Sequence, residues 1–316
     1  MDELSIFSGN ANRPLAAEIC QHLGIHDGEV EVFQFTNENI FVKINENIRG
    51  HDVFIVQSFS TPVNTSIFEL LIMLDACKRA SARRVTAVIP YYAYGRSDKK
   101  DQPRVPITAR LIADCVSVAG AGRVLTMDLH AGQIQGFFNI PVDELTAVNV
   151  IARYWRAKQI PNLTVVATDE GFAKKARNFA DLLDAPLAII QKRRLDNDGR
   201  AEAMSIIGQV NGRNALIVDD EIDTAGSIIQ ALQLVRREGA QEVYASAVHA
   251  VLSGPAIERL RESPFNEIVV TNTIPVPQQK HLPNMTVLSV GKLIADAIQH
   301  IHEGTSVSEL FRWNAE

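Results

Sequence analysis

Ala215-Leu216-Ile217-Val218-Asp219-Asp220-Glu221-Ile222-Asp223-Thr224-Ala225-Gly226-Ser227 runs four apolar residues into adjacent carboxylates and then into a loop of small residues. The helical pattern Ile228, Ile229, Leu232, Val235 follows. An apolar run bounded in this way predicts a buried parallel strand at 215–218 that ends in a binding loop. Small side chains at 224–227 let backbone N–H groups close around a phosphate at the start of the next helix. Unpaired donors and the positive dipole end favour an anion there. Asp219 and Asp220 stand at the carboxyl end of the strand, where ligands of open α/β sheets bind. Successive strand residues point to opposite faces, so one acid can meet sugar hydroxyls while the other reaches a hydrated metal ion. A surface turn with an acidic N-cap is the plainer alternative. The chain holds no G-x-x-x-x-G-K-[ST], so a P-loop is excluded.

Working outward, apolar runs alternate with helical patterns over most of the chain. Strands are predicted at 5–7, 40–44, 53–56, 85–89 and 124–127, then at 164–167, 187–190, 215–218, 243–247 and 268–271. Helices are predicted at 14–23, 66–79, 106–119, 171–183, 227–238, 255–261 and 292–302. Such alternation predicts an α/β protein whose mainly parallel sheets are flanked by helices. Two rounds of it in 316 residues predict two similar domains of about 150 residues each, 1–147 and 148–302, with 303–316 as a tail on the first.

Composition sets outer limits. With 46% apolar and 22% charged residues the chain has the make-up of a soluble globular protein, and a net charge of −6 argues against a nucleic-acid coat. Cys20, Cys77 and Cys115 are odd in number, far apart and set in apolar patterns, which predicts reduced core thiols and no zinc or disulfide frame. The start, M-D-E-L-S-I-F, lacks the blocks of a secretion signal, and no apolar run reaches the length of a membrane span. A cytoplasmic protein is expected.

Several segments interrupt the regular scheme. F-S-G-N-A-N-R-P-L-A (7–16) reads as a turn and helix start with Asn12 as N-cap. Phe35-Thr36-Asn37-Glu38-Asn39 is a polar turn between strand-like runs, either a plain hairpin or a contact loop. After the strand at 85–89, Tyr91, Tyr92 and Tyr94 stand near Arg96, Ser97, Asp98, Lys99 and Lys100, with Arg104 beyond; stacking rings beside cations fit a nucleotide. In D-L-H-A-G-Q-I-Q-G-F-F (128–138), Asp128 and His130 stand two apart at a strand end and can face one way. They are either a carboxylate-oriented metal ligand or a hydrogen-bonded structural histidine. Asp169 ends another strand before a helix, as an N-cap or, if that strand lies beside the one ending at Asp219, as a metal-water contact. Lys192-Arg193-Arg194 reads as charge protecting a sheet edge or as a cationic loop that closes over a polyphosphate. His300 and His302, two apart on a helix, are expected at the surface.

Together these segments resemble ribose-phosphate diphosphokinase, the phosphoribosyl pyrophosphate synthetase family, over essentially the full chain. V-D-D-E-I-D-T-A-G-S (218–227) matches a pattern shared with the phosphoribosyltransferases, whereas F-S-G-N-A-N-R-P-L-A, R-V-P-I-T-A-R and D-L-H-A-G-Q-I-Q-G-F-F resemble the synthetases specifically. The resemblance implies a type I phosphoribosyltransferase-like fold and an ATP-dependent transferase of nucleotide biosynthesis. It would carry the diphosphoryl group of ATP to the anomeric hydroxyl of ribose 5-phosphate, releasing AMP. It further implies that Asp223, Thr224, Ala225, Gly226 and Ser227 hold the 5-phosphate, and that Asp219 and Asp220 hold ribose hydroxyls and magnesium. Asp128, His130 and Asp169 would be metal residues. Phe35, Asn37, Glu38, Asn39, Arg96, Ser97, Asp98 and Arg104 would bind ATP, the turn 35–39 coming from a neighbouring subunit. Lys192 and Arg194 would be catalytic cations, and the family is often hexameric. F-T-N-E-N stands where F-x-D-G-E is usual, T-D-E-G-F where P-D-x-G-G is usual, Ser97 where glutamine is common, and the cationic loop lacks its usual proline. A phosphoribosyltransferase or a non-catalytic regulatory paralogue is the alternative.

Overall fold

The computed structural model describes residues 3–194 and 202–311, with the side chains of 192–194, 202–203 and 311 left outside the description. The chain divides into two compact units, 1–146 with 273–275 and 289–316, and 147–272 with 276–288.

The first unit opens with β1 (Leu4–Ser8) and α1 (Arg13–Leu23). Pro14 suits the first turn of α1, and Gly24 ends it at φ 68°, its N–H turned back to the Cys20 and Gln21 carbonyls. β2 (Val30–Gln34) and β3 (Ile40–Ile44) pair only with each other, as an antiparallel ribbon. The strand expected at 40–44 is therefore correct as a strand and wrong as a member of the parallel sheet, since one hairpin turn cannot supply the crossover that parallel pairing needs. β4 (Asp52–Val56), α2 (Val63–Arg79), β5 (Arg84–Ile89), α3 (Thr108–Ala119), β6 (Arg123–Met127) and β7 (Val142–Leu145) complete this stretch. The sheet order is β1-β4-β5-β6-β7, parallel throughout. Every residue of β4 is buried, as a central strand covered on both faces requires.

The second unit begins with α4 (Val148–Lys158), a helix hidden by the expected domain boundary; it buries Ile151, Ala152 and Trp155. β8 (Leu163–Ala167), α5 (Ala173–Leu182), β9 (Leu187–Arg194), β10 (Glu202–Ile207), β11 (Asn214–Glu221), α6 (Gly226–Arg237), β12 (Val243–His249), α7 (Ala256–Glu262), β13 (Glu267–Thr271) and β14 (Met285–Leu288) follow. They build one sheet in the order β10-β9-β8-β11-β12-β13-β14, in which only the β9–β10 pair is antiparallel. The apolar faces of α6 and α7 close over it through Ile228, Leu232, Val235 and Leu260, each buried side chain of this kind contributing about 1.5–3 kcal/mol.

The chain then returns to the first unit with α8 (Gly291–Glu303). The sequence expectation had put this helix in the second domain; its buried face of Ile294, Ala295, Ile298 and Ile301 instead serves the first, against α1. His302 is likewise no surface residue: its Nδ1 lies 2.9 Å from Oδ2 of Asp52, a carboxylate only 2% exposed that also receives Arg84. Cys20 and Cys77 are buried as expected, while Cys115 is half-buried. Among the described residues, no helix is long and apolar enough to cross a membrane.

Candidate active site

The order of the second sheet reverses at β8. From β8 the chain steps outward to β9 and β10 on one side, then resumes with β11 on the other. Ligands of open α/β sheets bind outside the carboxyl ends of strands flanking such a reversal. The two strands run parallel with Ala167 opposite Val218, so Thr168 and Asp169 emerge beside Asp219 and Asp220. The condition attached to Asp169, that its strand neighbour the one ending at Asp219, is met.

Thr168 Oγ1 donates to Asp219 Oδ2 at 2.8 Å, and the Asp220 amide donates to Asp219 Oδ1 at 2.9 Å. Asp219 is partly exposed as a residue, but its carboxyl is enclosed by neighbouring atoms. That burial, with the Asp220 carboxylate next to it, raises its pKa well above the usual carboxylate range. A pair of crowded oxygen donors of this kind suits a hard divalent cation, which would relieve the repulsion. Among the described residues no group of three or more His, Cys, Asp or Glu side chains converges as a complete metal cage. Asp169 Oδ1 accepts the Phe172 amide at 2.9 Å and so stiffens the turn that enters α5, but the N-cap position itself is Phe172, so the N-cap reading of Asp169 is corrected.

The loop after β11 leads straight into a helix. Ala225 sits at φ 61°, in the left-handed region, and α6 starts at the next residue. Asp223 receives the Ser253 hydroxyl, while the Ser253 amide donates to the Asp223 carbonyl at 3.0 Å. Arg259 Nη1 donates to the Thr224 carbonyl at 3.0 Å, so α7 grips the loop from outside. Thr168, Ser253 and Arg259 were missed at the sequence level. Thr168 had a signal, its place directly after a strand; the other two are 30 and 35 residues from their partners and had none.

β9 continues through Lys192 and Arg194, with β10 hydrogen-bonded outside it. The edge-protection reading of Lys192-Arg193-Arg194 is thereby corrected, because β10 is the edge strand. The side chains of Lys192 and Arg194 and residues 195–201 lie outside the described residues.

In the first unit, Asp128 and His130 lie in the segment that follows β6. β6 stops at Met127, Asp128 turns to φ 41°, and its carboxylate is 5% exposed, accepting the Thr146 hydroxyl at 2.8 Å. His130 is exposed. Asp128 lies in the left-handed region, so strand geometry does not carry through to His130. His130 lies beside the turn 94–98: a Cβ on Gly95 would come within 3.2 Å of His130 Cβ, and Gln133 donates to the buried Asp98. Ser97 accepts the Ala109 amide through its carbonyl at 3.3 Å, and Arg104 adopts φ 67° in the loop before α3.

Asn37, Glu38 and Asn39 form the ribbon tip. The Asn39 amide donates to Asn37 Oδ1 at 3.2 Å, and Glu38 takes φ 67°, so the hairpin reading of this turn holds. Phe35 is 49% exposed and stacks edge-on with Phe33 at 5.1 Å between ring centroids. Glu38 and Asn39 line a cleft of about 580 Å³ between the tip and α2, together with Asn64 and Phe68. The Tyr94 hydroxyl donates to Asn64 at 2.8 Å, which ties the turn 94–98 to that cleft. Asn12 occupies the N-cap position of α1 without capping it; its side-chain amide donates instead to Ser58 Oγ and to the Thr273 carbonyl.

Similarity to known proteins covers nearly the whole chain. Residues 4–120 match the N-terminal domain of ribose phosphate pyrophosphokinase, and residues 199–312 match the phosphoribosyl synthetase-associated domain. The chain is 53% identical over 311 residues to a ribose-phosphate pyrophosphokinase of Caldanaerobacter subterraneus subsp. tengcongensis, covering 98% of each. It is 50% identical over 309 residues to that of Bacillus caldolyticus, again covering 98% of each. The structure of phosphoribosylpyrophosphate synthetase from Mycobacterium smegmatis superposes with a TM-score of 0.91 at 40% identity, covering 96% of this chain and 100% of that one.

Proposed function

The chain belongs to the ribose-phosphate pyrophosphokinase family, and from that premise we propose how its residues share the reaction. It transfers the diphosphoryl group of ATP to the anomeric hydroxyl of ribose 5-phosphate, giving 5-phosphoribosyl 1-diphosphate and AMP. One observation carries the proposed division of labour: at the reversal in the second sheet, crowded carboxylates and the small-residue loop that opens α6 share the same strand end.

In this reading the backbone donors of 223–227 and the α6 N-terminus hold the 5-phosphate. Asp219 and Asp220, at the mouth of that loop, hold ribose hydroxyls and share a divalent cation. The cation is magnesium, suited to hard oxygen donors and to a triphosphate, with His130 and Asp169 as further ligands. Asp128 is a further candidate metal residue, its carboxylate held by the Thr146 hydroxyl at 2.8 Å. Phe35 offers its exposed ring for stacking, and Asn37, Glu38 and Asn39 offer polar groups to the nucleotide. Arg96, Ser97, Asp98 and Arg104 meet it from the other turn. When bound, the cation neutralises charge along the triphosphate. The anomeric oxygen forms a bond to the β-phosphorus as its proton leaves. The bond from that phosphorus to the oxygen bridging the α-phosphate breaks, and AMP departs with the electron pair. Lys192 and Arg194, cations at the end of β9, neutralise charge that grows in this step. The protein works in the cytoplasm, consistent with its free cysteines, and as a homo-oligomer, a hexamer, in which the nucleotide turn of one subunit serves the next.

Mass-spectrometric product analysis tests the reaction: with ATP, ribose 5-phosphate and magnesium, purified protein should form AMP and 5-phosphoribosyl 1-diphosphate in equal amounts. ADP in place of AMP would mean monophosphoryl transfer and overturn the reading. Lys192→Ala should lower kcat by about 10³-fold, as loss of a transition-state cation does, with KM little changed. A near-normal kcat would remove that residue from the mechanism.

A further inference from the structure

Glu69 is an acid on α2 only 6% exposed, and its partners are amide donors. Oε2 accepts the Asn10 backbone N–H at 3.0 Å and Gln57 Nε2 at 2.8 Å, while Oε1 accepts Asn10 Nδ2 at 2.8 Å. Gln57, fully buried, accepts the Ala11 amide at 3.1 Å and donates to the Ser66 carbonyl at 3.0 Å. A buried carboxylate is tolerated only when donors replace its lost hydration, and here those donors come largely from the loop between β1 and α1. This accounts physically for much of the F-S-G-N-A-N stretch, to which the reaction assigns no task.

Asn10 extends the network outward. Arg13 donates to its Oδ1 at 2.8 Å from Nη2, which fixes the orientation of the amide. The Nδ2 group then points at Glu69 and, at 3.2 Å, at the carbonyl of Val32 in β2. The ribbon has no neighbour in the parallel sheet, so its height and tilt depend on contacts with α2 and on this link.

We infer that Glu69 and Asn10 are positioning residues, a clamp that sets the β2–β3 ribbon at the height where its tip meets the nucleoside triphosphate. The inference rests on the reading that residues 35–39 contact ATP. Asn10 is exposed, so Asn10→Ala leaves the core intact while cutting the ribbon from Glu69. The clamp requires KM for ATP to rise by about three- to tenfold, the size of one net hydrogen bond. KM for ribose 5-phosphate and kcat should stay unchanged, and backbone amides of 30–44 should exchange with deuterium faster than in the parent. Glu69→Gln keeps the shape but aims a donor at donors, and should shift KM for ATP further in the same direction. Equal rises in both KM values, or unaltered exchange in the ribbon, would reduce the pair to general scaffolding and overturn the inference. Phe35→Ala separates the two layers. If it raises KM for ATP and Asn10→Ala does not, the clamp alone fails. If Phe35→Ala leaves KM for ATP unchanged, the nucleotide-turn reading fails and takes the clamp with it.

Discussion

At the scale of single residues, the charged form of Asp219 is a cost to the cation-free fold. Burial and the Asp220 carboxylate raise its pKa in the folded state from 3.8. A group of this sort stabilises the fold while protonated. Its contribution is complete below the unfolded-state value and is lost as pH climbs through the folded-state value. Cation-free protein should therefore lose melting temperature between about pH 5 and pH 8, and magnesium should restore most at the upper end. Asp220→Asn removes the neighbouring charge, so it should flatten that decline while cutting kcat/KM by about a hundredfold or more through loss of an aligned ligand. Calorimetry across pH in EDTA, beside steady-state rates, reads both effects. Parallel pH curves for variant and parent would show that the carboxylates do not oppose each other. The acids at 219 and 220 were legible in the sequence because an apolar run ending in paired carboxylates has few other uses. The left-handed turn at Asp128, φ 41°, was not, since spacing assumes unbroken strand geometry.

At the scale of elements, the loop 223–227, proposed to hold the 5-phosphate, depends on backbone shape more than on side chains. Ala225 holds a left-handed conformation that costs an L-residue about 1–2 kcal/mol, and its methyl group is buried. Ala225→Gly removes that strain and loses about 0.8 kcal/mol of methyl burial, so stability should change little. Ala225→Val puts a branched side chain where it is least tolerated. It should cost about 1–3 kcal/mol and raise KM for ribose 5-phosphate more than KM for ATP. Thermal melts with paired KM measurements distinguish this from a general packing defect, which would leave the two KM values in proportion. Elements with a clear period were readable. The helix patterns at 66–79 and 227–238 fall within a few residues of α2 and α6, because buried positions three and four apart are fixed by local geometry. Three things were not readable: that β3 leaves the sheet for a ribbon, that β9 is covered by β10, and that Asn12 bonds across the unit to Thr273 instead of capping α1. Only the last is settled by a partner distant in sequence; in the first two the partner strand is the next along the chain, and what no local pattern carries is whether that pair joins or extends a sheet.

At the scale of the whole molecule, the chain builds its first unit from discontinuous segments. It crosses into the second unit after 146 and returns for 273–275 and again for 289–316. Two alternating rounds of strand and helix made two parallel sheets legible, but a simple division of the sequence gave α8 to the wrong unit. Amphipathicity says that a helix must bury one face without saying against what. The structure gives two answers that agree. Ile298 is fully buried in α8, which lies against α1, and at the end of the same helix Arg84 donates to the Ile301 carbonyl at 3.0 Å. If α8 is a structural member of the first unit, Ile298→Ala should cost about 2–5 kcal/mol, the usual range for emptying a packed site of this size. The cost should appear locally. Hydrogen exchange should accelerate in β1, β4 and α1, while β8, β11 and β12 keep the protection of the parent protein. Acceleration confined to β11 to β14 would return the helix to the second unit and restore the boundary that the sequence alone implied.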